Sequence, residues 1–285
     1  MGFENYHKNL IKEICGNFRE ARKSCSTRSI HDFRVGIKRL RSLLELLSII
    51  DGGLNEKKHE QKLRPLFKSA GKVRELQVTA ELIRNWLKDS GDEVSEYYNY
   101  LKLNEDAAKR KFVNISKSGK TSIFPSLSKI ILKKVSGISA DYLKRFIGRS
   151  TSAALLRIDL KKRIPSLPLG ELHNLRIEAK DARYRLQALS AIQSESDVFK
   201  KADDWLRGVH RAIGQWHDMI IAQGKLDSFL ANDAVKPLYS PEAYEHLKKA
   251  LNSRGKDSYR VFLSVWNDKE NALGSVIEQL EKYNI

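Results

Sequence analysis

His31, Arg34, Lys38 and Arg41 are spaced His-x2-Arg-x3-Lys-x2-Arg, and His173, Arg176, Lys180 and Arg183 repeat that spacing 142 residues later, half the length of the 285-residue chain. A pattern that returns at half the chain length reads as a tandem duplication, in which each half builds the same unit. At about 100° per residue the four side chains of each copy fall within an arc of roughly 80° on an α-helix, in a cationic stripe about 15 Å long.

An apolar residue precedes each basic one. Ile30, Phe33, Ile37 and Leu40 lead into Leu44 and Leu47 in the first copy; Leu172, Leu175, Ala179, Ala182, Leu186 and Leu189 follow the same order in the second. This 3-4 spacing buries one helix face in a bundle, so the cations flank the packing seam and line the groove between helices. Cations gathered in such a groove repel one another unless an anion joins them. A solvated basic face is the ordinary fate of a charge run on a helix, and repetition in register favours a binding site over it.

A second pair of segments matches at an offset of 143: Arg64 with Arg207, Lys68 with Arg211, Gly71 with Gly214 and Glu75 with Asp218. Leu63, Leu66, Ala70 and Val73 precede the basic face in one half, and Leu206, Val209, Ile213 and Trp216 in the other. The glycines allow helices to cross closely or a ligand to approach backbone, with close packing the expected use. The two acids are expected to pair with neighbouring Arg or His and hold them in rotamer.

Nearly the whole chain carries a 3.6-residue apolar period, and no alternating stretch reads as a strand. Helices are expected over Asn5 to Lys23; from a capping box at Ser29 to a stop at Asp51, Gly52 and Gly53; over Glu56 to Lys88 with an interruption at Pro65 or Gly71; and over Val94 to Ser116. A loop is expected from Ser118 to Pro125, then helix from Ser128 to Lys162 with a break at Gly148, a turn at Pro165 and Pro168, and helices over Gly170 to Ile192 and Asp197 to Leu230. A turn from Pro237 to Pro241 leads into helix towards the C-terminus, giving about four helices per half with a seam near residue 148.

The sequence holds 52 Lys and Arg against 35 Asp and Glu, a net charge of +17. That balance points to nucleic acid, a phosphate polymer or an anionic membrane surface. There is chain enough for one large domain or two ordinary ones. No apolar run approaches the roughly 20 residues of a membrane span, and the N-terminus lacks an apolar leader, so a soluble, intracellular protein is expected. Cys15 and Cys25 form neither a redox nor a zinc pattern and read as idle thiols.

With both matched pairs in hand, the chain resembles the CHAD family, the conserved histidine α-helical domain, over essentially its full length. The resemblance implies an all-α fold, a single domain over 1–285 made of two four-helix bundles, 1–148 and 149–285, related by a pseudo-twofold axis around a basic central channel. It further implies non-catalytic binding of inorganic polyphosphate in that channel. By motif position the binding residues are His31, Arg34, Lys38 and Arg41; His173, Arg176, Lys180 and Arg183; and Arg64, Lys68, Arg74, Arg207 and Arg211, with His210 and His217 as further candidates on the same helix. Two departures stand out: Glu75 follows Arg74 where the family usually has Asp, and His217 precedes Asp218 where another polar residue is common. The Glu-x-Glu-x-Lys motif of the triphosphate-tunnel enzymes fused to some members does not occur, so the chain resembles a stand-alone member. It implies polyphosphate-metabolising proteins as partners, no membrane, no cofactor, and a cytoplasmic location that extends to polyphosphate granules.

Polyphosphate carries about one charge per repeating unit and no bases, so affinity must come from cation density and counterion release. Arg forks onto phosphate oxygens, while Lys adds a mobile point charge. Each motif His is expected in the first turn of its helix, where backbone N–H groups also favour an anion, and to bind better when protonated, below about pH 6.5. The alternative is a neutral His hydrogen-bonded at a helix start.

Sharper chemistries find less support. His210 and His217 share a face with Asp218 nearby, yet their cationic neighbours oppose a dication. Gly119, Lys120 and Thr121 imitate the end of a P-loop, but Asn114 stands where its first glycine belongs. No nucleophile-base pair or paired carboxylates mark the basic face. The main alternative is a nucleic-acid-binding helical protein, which would interleave aromatics for base stacking. The motif stripes contain none; Trp86, Trp205, Trp216 and Trp266 sit in apolar patterns, and Tyr184 beside Arg183 is the one candidate. A third reading, a scaffold docking acidic surfaces, would rely on cations outside the motifs, such as Lys133, Lys134, Lys161 and Lys162.

Overall fold

Capping residues set the helix limits. α1 (Phe3–Ser24) ends where Cys25 turns to φ 46°, its N–H reaching the Ala21 carbonyl at 3.0 Å. The chain re-enters helix at once, because the Ser26 hydroxyl accepts from the Ser29 N–H at 3.1 Å. That cap starts α2 (Thr27–Ile50) two residues before the expected box at Ser29, and places His31 fifth in the helix rather than in its first turn.

The structure, a computed structural model, describes residues 2–50, 56–90, 94–118, 122–164, 167–193, 196–232, 240–268 and 273–281. The expected helix stop at Gly52 and Gly53, the loop at Gly119 to Thr121 and the turns at Pro165 and Pro237 lie outside them. Among the described residues there are ten α-helices and no strand. After α2 come α3 (Glu56–Ser90), α4 (Ser95–Ser118), α5 (Ile123–Val135), α6 (Ala140–Lys162), α7 (Glu171–Ile192), α8 (Asp197–Leu230), α9 (Pro241–Trp266) and α10 (Leu273–Glu281).

Three expected breaks are corrected. α3 runs through Pro65 and Gly71. Proline removes the donor to the Gln61 carbonyl, but both residues are exposed, so water can take the place of that bond. The expected loop to Pro125 ends earlier, because Pro125 occupies the first turn of α5, where its missing N–H costs nothing. The break assigned to Gly148 falls instead at 136–139, where Ser139 caps α6 by accepting from the Tyr142 N–H at 3.2 Å, and Gly148 is buried inside that helix. Each half therefore supplies five described helices, not about four.

The same neighbours recur in both halves. α1 packs on α2 and α5 as α6 packs on α7 and α10; α2 on α3 as α7 on α8; α3 on α4 as α8 on α9. Two apolar clusters hold the helices, and each draws on both halves of the chain. The larger one includes Phe18, Phe33 and Phe124, with Phe33 ring centres 5.1 Å from Phe18 and 6.2 Å from Phe124. Phe33 is fully buried, so Phe33→Ala would cost about 3–5 kcal/mol. The smaller one joins the far ends of the α3–α4 and α8–α9 hairpins, where Phe229 lies 4.9 Å from Tyr97 and 5.7 Å from Tyr244. α3 and α8 pass from the larger cluster to the smaller near Arg74 and His217, and a cavity opens there between α2, α3, α7 and α8.

Candidate functional site

The apolar face that each helix buries fixes where its cations go. Ile30, Phe33, Ile37 and Leu40 are all fully buried, which turns His31, Arg34, Lys38 and Arg41 along one edge of α2 into a cavity of about 1330 Å³. Arg64, Lys68 and Arg74 of α3 line the same space, as do Arg176 and Arg183 of α7 and Arg207, His210, Arg211 and His217 of α8. Lys180 and His173 are not among its lining residues. Lys180 nevertheless acts electrostatically on Lys38, and the exposed His173 ring lies 5.8 Å from that of His217. The sequence motifs therefore converge on one place.

Twelve Lys and Arg side chains line the cavity against three carboxylates, Glu60, Glu75 and Asp218. Two of those acids are engaged by cations at the edge: Glu60 pairs with Arg41, and Glu75 pairs with Lys225 at 2.5 Å and Lys72 at 3.6 Å. The expectation that Glu75 holds an Arg or His is thus corrected, since two lysines are its ion-pair partners. Asp218 is raised from its ordinary value by burial, opposed by Arg176, Arg74 and Lys38, so it serves cations from three helices at once. Arg34, Lys38, Arg64, Lys68, Arg74, Arg176 and Arg211 make no ion pair among the described residues.

Crowding of like charge shows in the titration of these groups. Lys38 is pushed down to about 7 by burial and by Arg34, Lys180, Arg176 and Arg41. Arg34 is lowered to about 10 by burial, Arg74 and Arg176, and Lys180 is lowered by burial, Arg176, Arg41 and Arg34. Burial lowers His31, assisted by Arg74, and drives His210 down to about 3 with Arg176, Lys38, Lys180 and Arg183 around it. Both shifts favour the neutral imidazole, and an anion beside His31 would favour the charged one. The helix-start argument applies to His173 alone, third residue of α7.

Several residues that shape the site escaped the motif search. Glu60 holds Arg41, and Asp203 holds Arg183 at 3.2 Å and Arg207 at 2.8 Å. These acids lie 143 apart, the offset of the second matched pair, so the same comparison extended by one helical turn finds them. Phe67 also went unassigned, although the Arg34 and Arg41 guanidiniums lie 4.4 Å and 5.4 Å from its ring centre. The aromatics set aside from base stacking are in the core as expected: Trp86, Trp205, Trp266 and Tyr184 are buried, and Trp216 packs against the larger cluster. Of the proposed surface cations, Lys161 is tied to Glu178 at 2.8 Å and Lys162 lies 4.8 Å from the Trp205 ring centre.

No described helix is long and apolar enough to cross a membrane. Among solved structures, the chain is similar to the crystal structure of the CHAD domain from the plant Ricinus communis, with a TM-score of 0.73 at 17% identity over 98% of this chain and 90% of that one. It is also similar to PptA from Streptomyces chartreusis, with a TM-score of 0.67 at 13% identity over 93% of this chain and 98% of that one. No curated protein matches the sequence. The CHAD domain family model matches residues 6–227, most of the chain and all four motif segments. A family model that matches over this much of the sequence shows that the chain belongs to the CHAD domain family.

Proposed function

We propose that the protein binds inorganic polyphosphate, or a phosphate polyanion of equal charge density, in this cavity and performs no chemistry on it. One observation carries the reading: seven Lys and Arg side chains without an ion-pair partner among the described residues converge on a space that holds only three carboxylates. Burial first, and neighbouring cations second, disfavour the charged forms of Arg34 and Lys38 in the free protein, and a chain of phosphates brought among them would favour those forms. The recurrence of helix neighbours supports the duplication and its pseudo-twofold axis, with the cavity as the central channel. The reading offers polyphosphate-metabolising proteins as partners and polyphosphate granules in the cytoplasm as the place of action.

Nucleic acid remains the competing ligand. Its usual stacking platform is not on offer among the described lining aromatics: Tyr184 is buried, and the Phe67 ring carries two guanidiniums. Charge-matched variants test the reading against a surface scaffold. Arg34, Lys38, Arg176 and Arg211 changed together to Ala are expected to lower affinity for long-chain polyphosphate by more than a hundredfold. The same change at exposed Lys133, Arg145, Arg157 and Lys256 is expected to lower it by less than fivefold. Equal losses from the two sets would replace the cavity with the surface.

A further inference from the structure

Phe67 surrounds one guanidinium of the cavity on two sides. Its ring lies 4.4 Å from the Arg34 guanidinium and 5.4 Å from that of Arg41, and its backbone carbonyl accepts a hydrogen bond from Arg34 Nη1 at 2.9 Å. One helical turn on, Gly71 closes the cradle: a Cβ there would sit 2.6 Å from the same Nη1. The corresponding position in the second half is His210, and Gly214 leaves 3.7 Å to Arg176 Nε, which is buried without a hydrogen-bond partner. One arginine of the matched pair is clamped; the other is not.

A long side chain loses rotamer freedom when it grips a ligand, and a guanidinium already held in place loses less. Stacking on an aromatic face suits this purpose, because it fixes the plane of the fork while leaving its N–H edge open to phosphate oxygens. Phe67 has no polar side-chain atom of its own to offer an anion. We infer that Phe67 is a positioning residue, whose ring and carbonyl preset Arg34 for phosphate, so that Arg34 is preorganised while its counterpart Arg176 orders on binding. The inference rests on the polyanion reading of the site and adds an asymmetry between the halves that the repeated motif hides.

Substitution of the ring alone tests it. Phe67→Leu is expected to weaken binding of long-chain polyphosphate about fivefold at 150 mM salt, and Phe67→Tyr to stay within about twofold of wild type. Since Phe67 acts through Arg34, the double variant Phe67→Leu/Arg34→Lys should lose little beyond Arg34→Lys alone. A second readout needs no ligand: the Arg34 Nε–H resonance, assigned by its loss in Arg34→Lys, should be ring-shifted in wild type and move to the exposed-arginine position in Phe67→Leu. Wild-type affinity in Phe67→Leu, additive losses in the double variant, or an unshifted Arg34 resonance would overturn the inference. If wild type fails to bind polyphosphate at all, the reading of the site falls, and the resonance still decides whether Phe67 presets Arg34.

Discussion

Gly71→Ala and Gly214→Ala are the same change at matched positions of α3 and α8, and the structure assigns them opposite outcomes. In an exposed helix interior, alanine in place of glycine gains about 1 kcal/mol. At Gly214 the new Cβ meets nothing closer than Arg176 Nε at 3.7 Å, ordinary contact, so that gain is kept. At Gly71 it would lie 2.6 Å from Arg34 Nη1, and the guanidinium must swing away. The hydrogen bond to the Phe67 carbonyl and the stacking on its ring go with it, a loss of about 2 kcal/mol from a charged hydrogen bond and a half-exposed cation–π contact. The two variants should therefore differ by about 2 kcal/mol, or about 4 °C in Tm for a chain of this length, with Gly214→Ala above wild type and Gly71→Ala below it. Polyphosphate affinity should fall about tenfold in Gly71→Ala and stay within about twofold in Gly214→Ala. Paired thermal melts and titrations check both numbers. Equal stabilisation of the two variants with unchanged affinity would refute the placement of Arg34 against Gly71, and with it the argument that helix glycines here make room for arginines.

Other outcomes follow from the crowding of charge. Lys38→Met removes a half-buried cation facing Arg34, Lys180, Arg176 and Arg41, so it should raise Tm while lowering polyphosphate affinity about tenfold. The stability of the free protein should rise with pH between about 7 and 10, because Lys38, held near 7, has lost a proton that the unfolded chain still binds, with Lys180, lowered by burial, acting in the same sense; a flat Tm profile over that range would contradict their burial. Below about 6.5 stability should fall further, since His31, His210 and His217 take up protons more readily in the unfolded chain, with Asp218 acting in the opposite sense. Binding has the reverse dependence. Phosphate favours the charged forms of Lys38 and His31, so affinity should increase as pH falls from 8 to 6, and calorimetry in buffers of different ionisation enthalpy should register proton uptake on binding; no uptake would contradict it.

The placement of the cations beside the packing seam was legible in the sequence further than the helix boundaries were. Apolar residues preceding each cation placed the stripes beside the packing seam, and Phe33, Ile37, Leu175 and Ala179 are indeed fully buried while Arg34 and Arg176 turn into the cavity. Helix breaks are less legible, because glycine and proline interrupt a helix only where their neighbours let them. Gly148 stays helical inside a buried face, whereas Ser139, with Asp141 in the first turn, carried the cap signal for the true start of α6. Pro65 is tolerated at an exposed stretch of α3, where both it and Gln61, whose carbonyl it strands, are open to water. Glu60, Asp203 and Phe67 were hidden for a different reason. They bind no ligand directly in this account, and a search for cations passes over the groups that hold cations still. The offset of 143 contained the two acids, but Phe67 and His210 differ in kind, and only the three-dimensional cradle shows what that difference does.

The most direct test of the central claim is a titration of labelled long-chain polyphosphate at about 150 mM salt, with RNA as competitor, on wild type and on the Arg34/Arg41/Arg176/Arg183-to-Ala variant. Seven lining cations without an ion pair among the described residues predict a log–log salt slope of about −5, tight binding that RNA of equal charge does not displace, and its loss in the variant. Displacement by RNA at equal phosphate concentration, or binding that survives in the variant, would contradict a cavity built for a phosphate polymer.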